Sequence, residues 1–214
     1  MIDMQKILDN AVSSGDVPFI VSMTGNAAGI TWSGVSGEAA ADRKASLDTA
    51  FRIFSMTKAI GCVAAMMLID RGKLSMDTPV ESILPDWGTL SVLDGWDGDL
   101  PILRPPRVMA TVRHLAAHTS GLEYELYSKD VSKYLKVTGN PSILSGSKRA
   151  LLSYPLTSDP GACWAYGTGI DWLGQIVEAV DGREIDDFCT KEIFEPLGMH
   201  NTCFECDILK DRMA

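Results

Sequence analysis

Residues 54–58 read Phe54-Ser55-Met56-Thr57-Lys58 and begin a proline-free apolar run that ends at Gly72. Such a run predicts a largely buried helix from Ser55 to Gly72, because Ala, Met and Leu favour helices and a glycine ends them. A serine and a lysine three positions apart lie on nearly the same helix face, so the lysine amine stands beside the hydroxyl. The segment therefore predicts both the central helix and a candidate nucleophile.

The spacing of Ser55 and Lys58 suits nucleophilic catalysis. A serine hydroxyl is a poor nucleophile until a nearby base takes its proton. We expect Lys58 to help as that base, because burial lowers the pKa of an amine toward neutrality. The helix start also offers free backbone N–H groups to a developing oxyanion. The alternative is structural, a serine N-cap with a solvated first-turn lysine, although a cation there opposes the helix dipole.

Two further segments bear on this chemistry. A second Ser-x-x-Lys match, Ser145–Lys148, follows a turn and opens a short mixed helix, where its lysine would be solvated. Tyr166 lies between Ala165 and Gly167, and small neighbours let its hydroxyl stand in a cleft. A phenol there can act as base toward Ser55 and as acid toward the leaving group. From composition alone, a buried structural tyrosine is the simpler alternative.

Hydrophobic periodicity predicts one helix, then a hairpin, then a mostly helical remainder. The hairpin covers 17–32 around a turn at 25–29, whereas 37–50 and 95–106 are predicted to be irregular. Helices are predicted at 4–14, at 78–81 (a short start), at 111–117, at 146–153, at 169–181 and at 184–195. We divide the chain into 1–54, an N-terminal helix and hairpin, and 55–214, the nucleophile helix and a helical lobe. Since a lone hairpin is not stable, its sheet must gain strands from elsewhere.

Composition excludes several classes of partner. The chain of 214 residues carries a net charge of −9, which repels phosphate backbones and anionic membranes, so we expect neither nucleic acid nor membrane as a partner. The N-terminus lacks the apolar core of a secretory signal, and the five cysteines do not suggest a disulfide framework. We therefore expect a cytoplasmic protein with reduced thiols.

Metal sites and other serine chemistry fit the sequence poorly. His200, Cys203 and Cys206 have zinc-like spacing but give only three ligands, and the aspartates 94, 97 and 99 lack the glutamate of a calcium loop. No Gly-x-Ser-x-Gly elbow occurs. We expect no metal and no cofactor, while a zinc module stays open as an alternative.

Four motifs follow one another along the chain, and their order is informative. They are Phe54-Ser55-Met56-Thr57-Lys58, the segment from Arg113 to Leu122 (RHLAAHTSGL), Trp164-Ala165-Tyr166-Gly167, and the segment from Ile193 to Met199 (IFEPLGM). This set resembles the family VIII carboxylesterases, relatives of class C β-lactamases and penicillin-binding proteins. The resemblance covers almost the whole chain, and residues 95–106 are similar to the esterase branch in particular.

The resemblance implies an α+β fold, in which an antiparallel sheet flanked by helices joins a mostly helical lobe at a cleft. It implies that Ser55 is acylated, that Lys58 helps to deprotonate it, and that Tyr166 relays the proton to the leaving group. The oxyanion hole would use the backbone N–H of Ser55 and one from a late strand. Tyr124 and Tyr127, just after the Thr-Ser-Gly turn, are candidates for the substrate pocket.

Two departures from the family pattern matter. Relatives often carry Tyr-x-Asn at the second motif, whereas Thr168 stands at the asparagine position here, which argues against efficient β-lactam turnover. The third motif, a late Lys, His or Trp with a small residue and glycine, is missing; Trp32-Ser33-Gly34 has the letters but precedes the nucleophile. We expect the C-terminal strands to come from a remainder of the same enzyme, possibly as a separate chain.

These observations favour a serine carboxylesterase that hydrolyses short-chain acyl esters through an acyl-enzyme on Ser55. A β-lactamase or an acyltransferase with the same Ser/Lys/Tyr site is the alternative among enzymes. A non-catalytic protein that binds acyl or peptide ligands is the alternative of another class.

Overall fold

The computed structural model describes residues 3–214, apart from the side chains of Lys148 and Cys206. The described chain forms two compact units, one of Met1–Phe54 with His200–Ala214 and one of Ser55–Met199. Residues 200–214 group with the N-terminal residues, whereas the sequence predicted a single part from residue 55 to residue 214.

The elements within the described residues are numbered in chain order. The α-helices are α1 (Met4–Ser13), α2 (Thr57–Asp70), α3 (Val80–Ile83), α4 (Val112–Ala116), α5 (Lys129–Thr138), α6 (Lys148–Leu152), α7 (Gly169–Asp181) and α8 (Ile185–Cys189). The strands are β1 (Phe19–Asn26), β2 (Gly29–Ala40), β3 (Arg43–Lys44), β4 (Val92–Asp97) and β5 (Leu100–Arg104). A π-helix at Thr190–Phe194 continues α8, and 3₁₀ helices lie at Phe54–Met56, Pro85–Thr89, Ile143–Ser145 and Cys206–Arg212.

The smaller unit contains an antiparallel sheet in the order β1-β2-β3, with α1 packed on β2. The predicted hairpin forms, but the loop predicted at 37–50 is wrong, because β2 continues to Ala40 and pairs Phe19 with Gly37. Residue 37 has a φ of +87°, and a Cβ there would lie 2.2 Å from the Pro18 carbonyl oxygen. Only glycine fits this close approach, which explains why the strand carries no β-branched signal here.

The larger unit is built around α2 and α7, which pack on each other, while α4 also contacts α7. The inner face of α7 is buried over Ile170, Trp172, Leu173, Ile176 and Val177. Burial of each such side chain is worth roughly 1.5–3 kcal/mol, so this face anchors the unit. Gly182 ends α7 in the left-handed conformation, as the sequence predicted.

A second hairpin, β4–β5, replaces the irregular segment predicted at 95–106, so that prediction is wrong. The hairpin contacts α5, a helix that the sequence-based prediction did not include: the Trp96 indole N–H donates to Asp130 at 2.9 Å. The Lys133 ammonium lies 4.1 Å from the Trp96 ring centroid and donates to the Gly98 carbonyl at 2.7 Å. The strand pattern is hidden because glycines and prolines interrupt the apolar residues.

None of the helices within residues 3–214 combines the length and the apolar character needed to cross a bilayer.

Candidate active site

Ser55 lies in the 3₁₀ turn Phe54–Met56, immediately before α2 begins at Thr57. Phe54 has a φ of +45°, the left-handed region that residues with a Cβ seldom adopt. Such a conformation costs about 1–3 kcal/mol and persists only where its surroundings impose it. The strained turn leaves Ser55 exposed at the N-terminus of α2.

Lys58 lies one turn into the helical segment, and its Nζ donates to Ser55 Oγ at 3.4 Å. Two tyrosine rings also face the ammonium. The Lys58 Nζ is 5.3 Å from the ring centroid of Tyr124 and 5.0 Å from that of Tyr166. These distances suit cation–π attraction, which stabilises the charged amine.

The protonation of Lys58 differs from the sequence-based expectation. Burial lowers its pKa, but hydrogen bonds with Tyr124 and Tyr166, together with the charges of Tyr124 and Asp171, outweigh burial, and the net pKa is raised. The expectation of an amine tuned toward neutrality is therefore wrong for this arrangement. Lys58 remains an ammonium near pH 7 and acts first as a fixed positive charge beside the hydroxyl.

The pKa of Tyr166 is shifted in the opposite direction to that of Lys58. A hydrogen bond with Ser55 lowers its pKa below the ordinary phenol value, burial opposes this, and the hydrogen bond and charge of Lys58 lower the pKa further. The hydroxyl, the ammonium and the phenol are thus brought together, and the phenol is the group whose deprotonation the site favours.

The backbone around Tyr166 is fixed on both sides. The Ala165 N–H donates to the His118 carbonyl at 2.9 Å, and the Tyr124 N–H donates to the Tyr166 carbonyl at 3.1 Å. The next residue is glycine because a Cβ on Gly167 would lie 2.2 Å from the Leu122 carbonyl oxygen. The segment therefore lies directly against the Thr-Ser-Gly-Leu turn.

Aromatic side chains surround the Tyr166 ring. Tyr124 and Tyr127 lie with ring centroids 5.3 and 5.9 Å from it, and Trp164 stacks at 6.5 Å. Tyr127 and Trp164 are each 66% exposed. Both tyrosines singled out as pocket candidates thus border the Tyr166 phenol, and Trp164 adds another exposed ring.

Two residues near Lys58 were not assigned to the site from the sequence. His118 has a φ of +55°, and its Nδ1 accepts the Gly167 N–H at 3.5 Å. Burial and the nearby Lys58 charge lower its pKa, so the ring is neutral at pH 7. Asp171 accepts a hydrogen bond from the Tyr124 hydroxyl at 3.4 Å. Its only sequence signal is a position one helical turn after Thr168.

Thr168, at the asparagine position of the family motif, does not reach the site. It is fully buried, and its Oγ1 has no hydrogen-bond partner among the described residues. The side chain points into the interior at the start of α7, so no amide substitute faces Lys58 from this position.

No group of three His, Cys, Asp or Glu side chains within the described part of the chain is arranged to hold an ion. The zinc alternative included Cys206, whose side chain lies outside the described set.

The mostly helical unit and its exposed serine, with an amine one turn on that bonds the hydroxyl and faces the Tyr166 ring, define the β-lactamase-like class of serine hydrolases. The chain belongs to the Beta-lactamase family, which matches residues 8–212. The resemblance inferred from the four motifs is thereby confirmed, and so is the α+β fold class.

Relatives in this family carry two kinds of activity in their names. The chain is 35% identical to lovastatin esterase from Penicillium rubens over 163 residues, which is 74% of this chain and 40% of that protein. It is 32% identical to monacolin J acid methylbutanoyltransferase from Aspergillus terreus over 169 residues, covering 78% of this chain and 41% of that protein.

The fold also matches a solved structure. Simvastatin synthase from Aspergillus terreus superimposes with a TM-score of 0.88 at 29% identity, covering 99% of this chain and 56% of that one. The chain therefore spans about half the length of the relatives it matches.

Proposed function

We propose that the protein is a serine carboxylesterase that hydrolyses short-chain acyl esters through an acyl-enzyme on Ser55. The observation that carries this proposal is the geometry at Lys58, whose Nζ donates to Ser55 Oγ at 3.4 Å and lies 5.0 Å from the ring centroid of Tyr166. A binding protein has no need for a serine hydroxyl bonded to an amine that also faces a phenol ring, so this arrangement favours catalysis over the non-catalytic alternative.

In the acylation step, the Tyr166 phenolate takes the proton of Ser55 Oγ as that oxygen bonds to the ester carbonyl carbon. The carbonyl oxygen becomes an oxyanion, for which the Ser55 backbone N–H is one donor. When the tetrahedral intermediate collapses, the bond to the alcohol oxygen breaks and Tyr166 returns the proton to that oxygen. The Lys58 ammonium stabilises the phenolate before transfer, which agrees with the directions of the two pKa shifts.

In the deacylation step, water repeats the same transfers in reverse. Tyr166 accepts a proton from the attacking water, the bond between Ser55 Oγ and the acyl carbon breaks, and the proton returns to Oγ. No metal or organic cofactor enters either step.

The substrate pocket is proposed to include Tyr124 and Tyr127. Both rings border Tyr166, and the exposed Tyr127 offers an apolar face beside the site of attack. Aromatic surfaces of this kind bind acyl and alcohol groups of esters through apolar contact.

Acyl transfer is the second candidate, and the names of the relatives favour it specifically. One similar protein is a methylbutanoyltransferase, and another is an esterase. The two reactions share the acyl-enzyme and differ only in whether water or an alcohol attacks it.

The proposal is tested with a fluorophosphonate probe and p-nitrophenyl butyrate. We expect the probe to label Ser55, and Ser55→Ala to lose about 10⁴-fold or more in kcat, as removal of an activated serine does in other hydrolases. Ser145→Ala, in the other Ser-x-x-Lys match, is the control and should leave labelling and turnover unchanged.

The competing readings predict different results in the same assay. Absence of an adduct on Ser55 in the active protein, or equal turnover by Ser55→Ala, would overturn the proposal in favour of a binding role. Burst kinetics with added butanol separate the acceptors, since an acyltransferase forms butyl butyrate at the expense of butyrate. Faster turnover of nitrocefin than of the ester would identify a β-lactamase instead.

We also propose a cytoplasmic location. Cys62, Cys163, Cys189 and Cys203 are free thiols, which suit a reducing compartment.

A further inference from the structure

Asp171 and Tyr124 extend the catalytic contacts beyond the three expected residues. Asp171 is the third residue of α7, and its Oδ2 accepts the Tyr124 hydroxyl at 3.4 Å. The Tyr124 ring in turn faces the Lys58 ammonium with its centroid 5.3 Å from Nζ. A chain of contacts thus runs from the start of α7 through a phenol to the amine beside Ser55.

The groups that face Asp171 come from three segments. Lys58 comes from α2, Tyr124 from the loop after α4, and Tyr166 from the segment before α7. His118 also lies near Lys58, whose charge lowers the pKa of its ring after the larger effect of burial. Asp171 keeps accessible surface, yet the protein around it disfavours its charged form, and its pKa is raised. Its negative charge raises the pKa of both Lys58 and Tyr166.

A simpler role for Asp171 is helix stabilisation. A carboxylate in the first turn complements the helix dipole, and the Asp171 backbone N–H also bonds its own side chain. That role explains an acidic residue at this position but not its contact with Tyr124. The two roles predict different effects on the pKa values of Lys58 and Tyr166.

We propose that Asp171 is a positioning residue, which through the Tyr124 hydroxyl holds that phenol against the Lys58 ammonium and so keeps the ammonium beside Ser55. This inference rests on the proposed function, because it assigns a role within the same reaction. It also explains how Lys58 is held although the family's asparagine is absent, since Thr168, at the asparagine position one turn before Asp171, is buried.

The test compares pH profiles of kcat for p-nitrophenyl butyrate hydrolysis. In the parent protein, activity rises as Tyr166 loses its proton and falls as Lys58 loses its own. Asp171→Asn removes a negative charge that raises both pKa values, so both limbs should move to lower pH. The maximal kcat should fall about tenfold while KM changes less than about twofold, because orientation rather than substrate binding is lost.

Asp187→Asn is the matched control. Asp187 is the third residue of α8, as Asp171 is of α7, and it is exposed. It loses the same dipole interaction and should leave the pH profile in place. Tyr124→Phe keeps the Asp171 charge, so it should move only the Lys58 limb to lower pH. It should still lower the maximal kcat about tenfold, as Asp171→Asn does, and the double variant should lower kcat no further than either single variant.

The outcomes separate the inference from the function on which it rests. If fluorophosphonate does not label Ser55 in the parent protein, the proposed function fails. If Ser55 is labelled and the Asp171→Asn profile superimposes on the parent or the Asp187→Asn profile, the positioning role is refuted. Full additivity in the double variant would refute the route through Tyr124.

Discussion

Thr168 shows how one side chain changes the meaning of a motif. The sequence places it where relatives carry an asparagine, but its hydroxyl is fully buried without a described partner. A buried unpaired hydroxyl costs about 1–3 kcal/mol, so this position is neither a substrate contact nor a good structural polar site.

We predict opposite effects for two replacements of Thr168. Thr168→Val removes the unpaired hydroxyl at nearly constant volume, and the free energy of unfolding should be unchanged or rise by about 1 kcal/mol. Thr168→Asn buries a larger amide and should lower it by about 2 kcal/mol or more, without any gain in nitrocefin hydrolysis. Urea titration and a nitrocefin assay check both. A β-lactamase gain in Thr168→Asn would contradict the buried orientation.

Individual residues also show which parts of the candidate site could be predicted from the sequence and which could not. Ser55, Lys58 and Tyr166 could be found because local spacing and ordered motifs identify them. The protonation of Lys58 could not, since it depends on Tyr124 and Asp171, which lie far along the chain. Neither residue carries a local signal of such a contact.

At the scale of elements, the start of α7 is held against its neighbours by glycines. A Cβ on Gly167 would lie 2.2 Å from the Leu122 carbonyl oxygen, and one on Gly169 would lie 2.7 Å from that of Leu115. Contacts this short force the backbone to move, and Tyr166 immediately precedes them.

Gly167→Ala and Gly174→Ala form a matched pair that tests this close packing. Gly167→Ala should displace Tyr166 and lower kcat by about 100-fold, since a shift near 1 Å has that effect on an oriented site. Gly174 lies within α7 with nothing within 4 Å of an added Cβ, so alanine there should raise the free energy of unfolding by about 0.5–1 kcal/mol. Steady-state kinetics and thermal unfolding supply the two readouts. Equal kcat in the two variants would show that Gly167 does not position Tyr166.

The elements differ in how clearly the sequence marks their ends and their apolar faces. Helix α7 matches its predicted range because an apolar stripe ends at Gly182. Helix α5 begins at a Ser128 cap and buries Val131 and Leu135 one turn apart, so its pattern is present in the sequence although the helix was not predicted. The β4–β5 hairpin depends on Trp96 packing beneath Lys133, a long-range contact that periodicity does not encode.

At the scale of the whole molecule, the notable feature is the open edge of the β1-β2-β3 sheet. Within the described residues, β1 pairs with β2 alone, and β3 has only two residues. An open strand edge leaves backbone groups ready to pair. We propose that strands outside residues 1–214, on the same or a separate chain, pair with β1 and supply the second oxyanion donor.

A polypeptide of residues 1–214 tests this proposal. We expect β1 amides on the open edge to exchange rapidly, while α7 amides stay protected. Turnover of p-nitrophenyl butyrate should lie about 10²–10³-fold below that of the protein with its sheet completed, the usual loss when one oxyanion donor is missing. A cooperatively folded, fully active 1–214 monomer with protected β1 amides would contradict it.

The left-handed backbone of Phe54 bears on how the protein meets its substrate. The residue is 81% exposed, so its ring contributes little to the core, yet its conformation fixes the direction in which the next side chain emerges. The Ser55 hydroxyl, the proposed nucleophile, is therefore directed outward before any ligand arrives, whereas a flexible turn would have to reach that orientation again at each encounter. Under the proposed function, productive collisions are therefore decided by how the ester approaches, with little rearrangement of the turn that receives it.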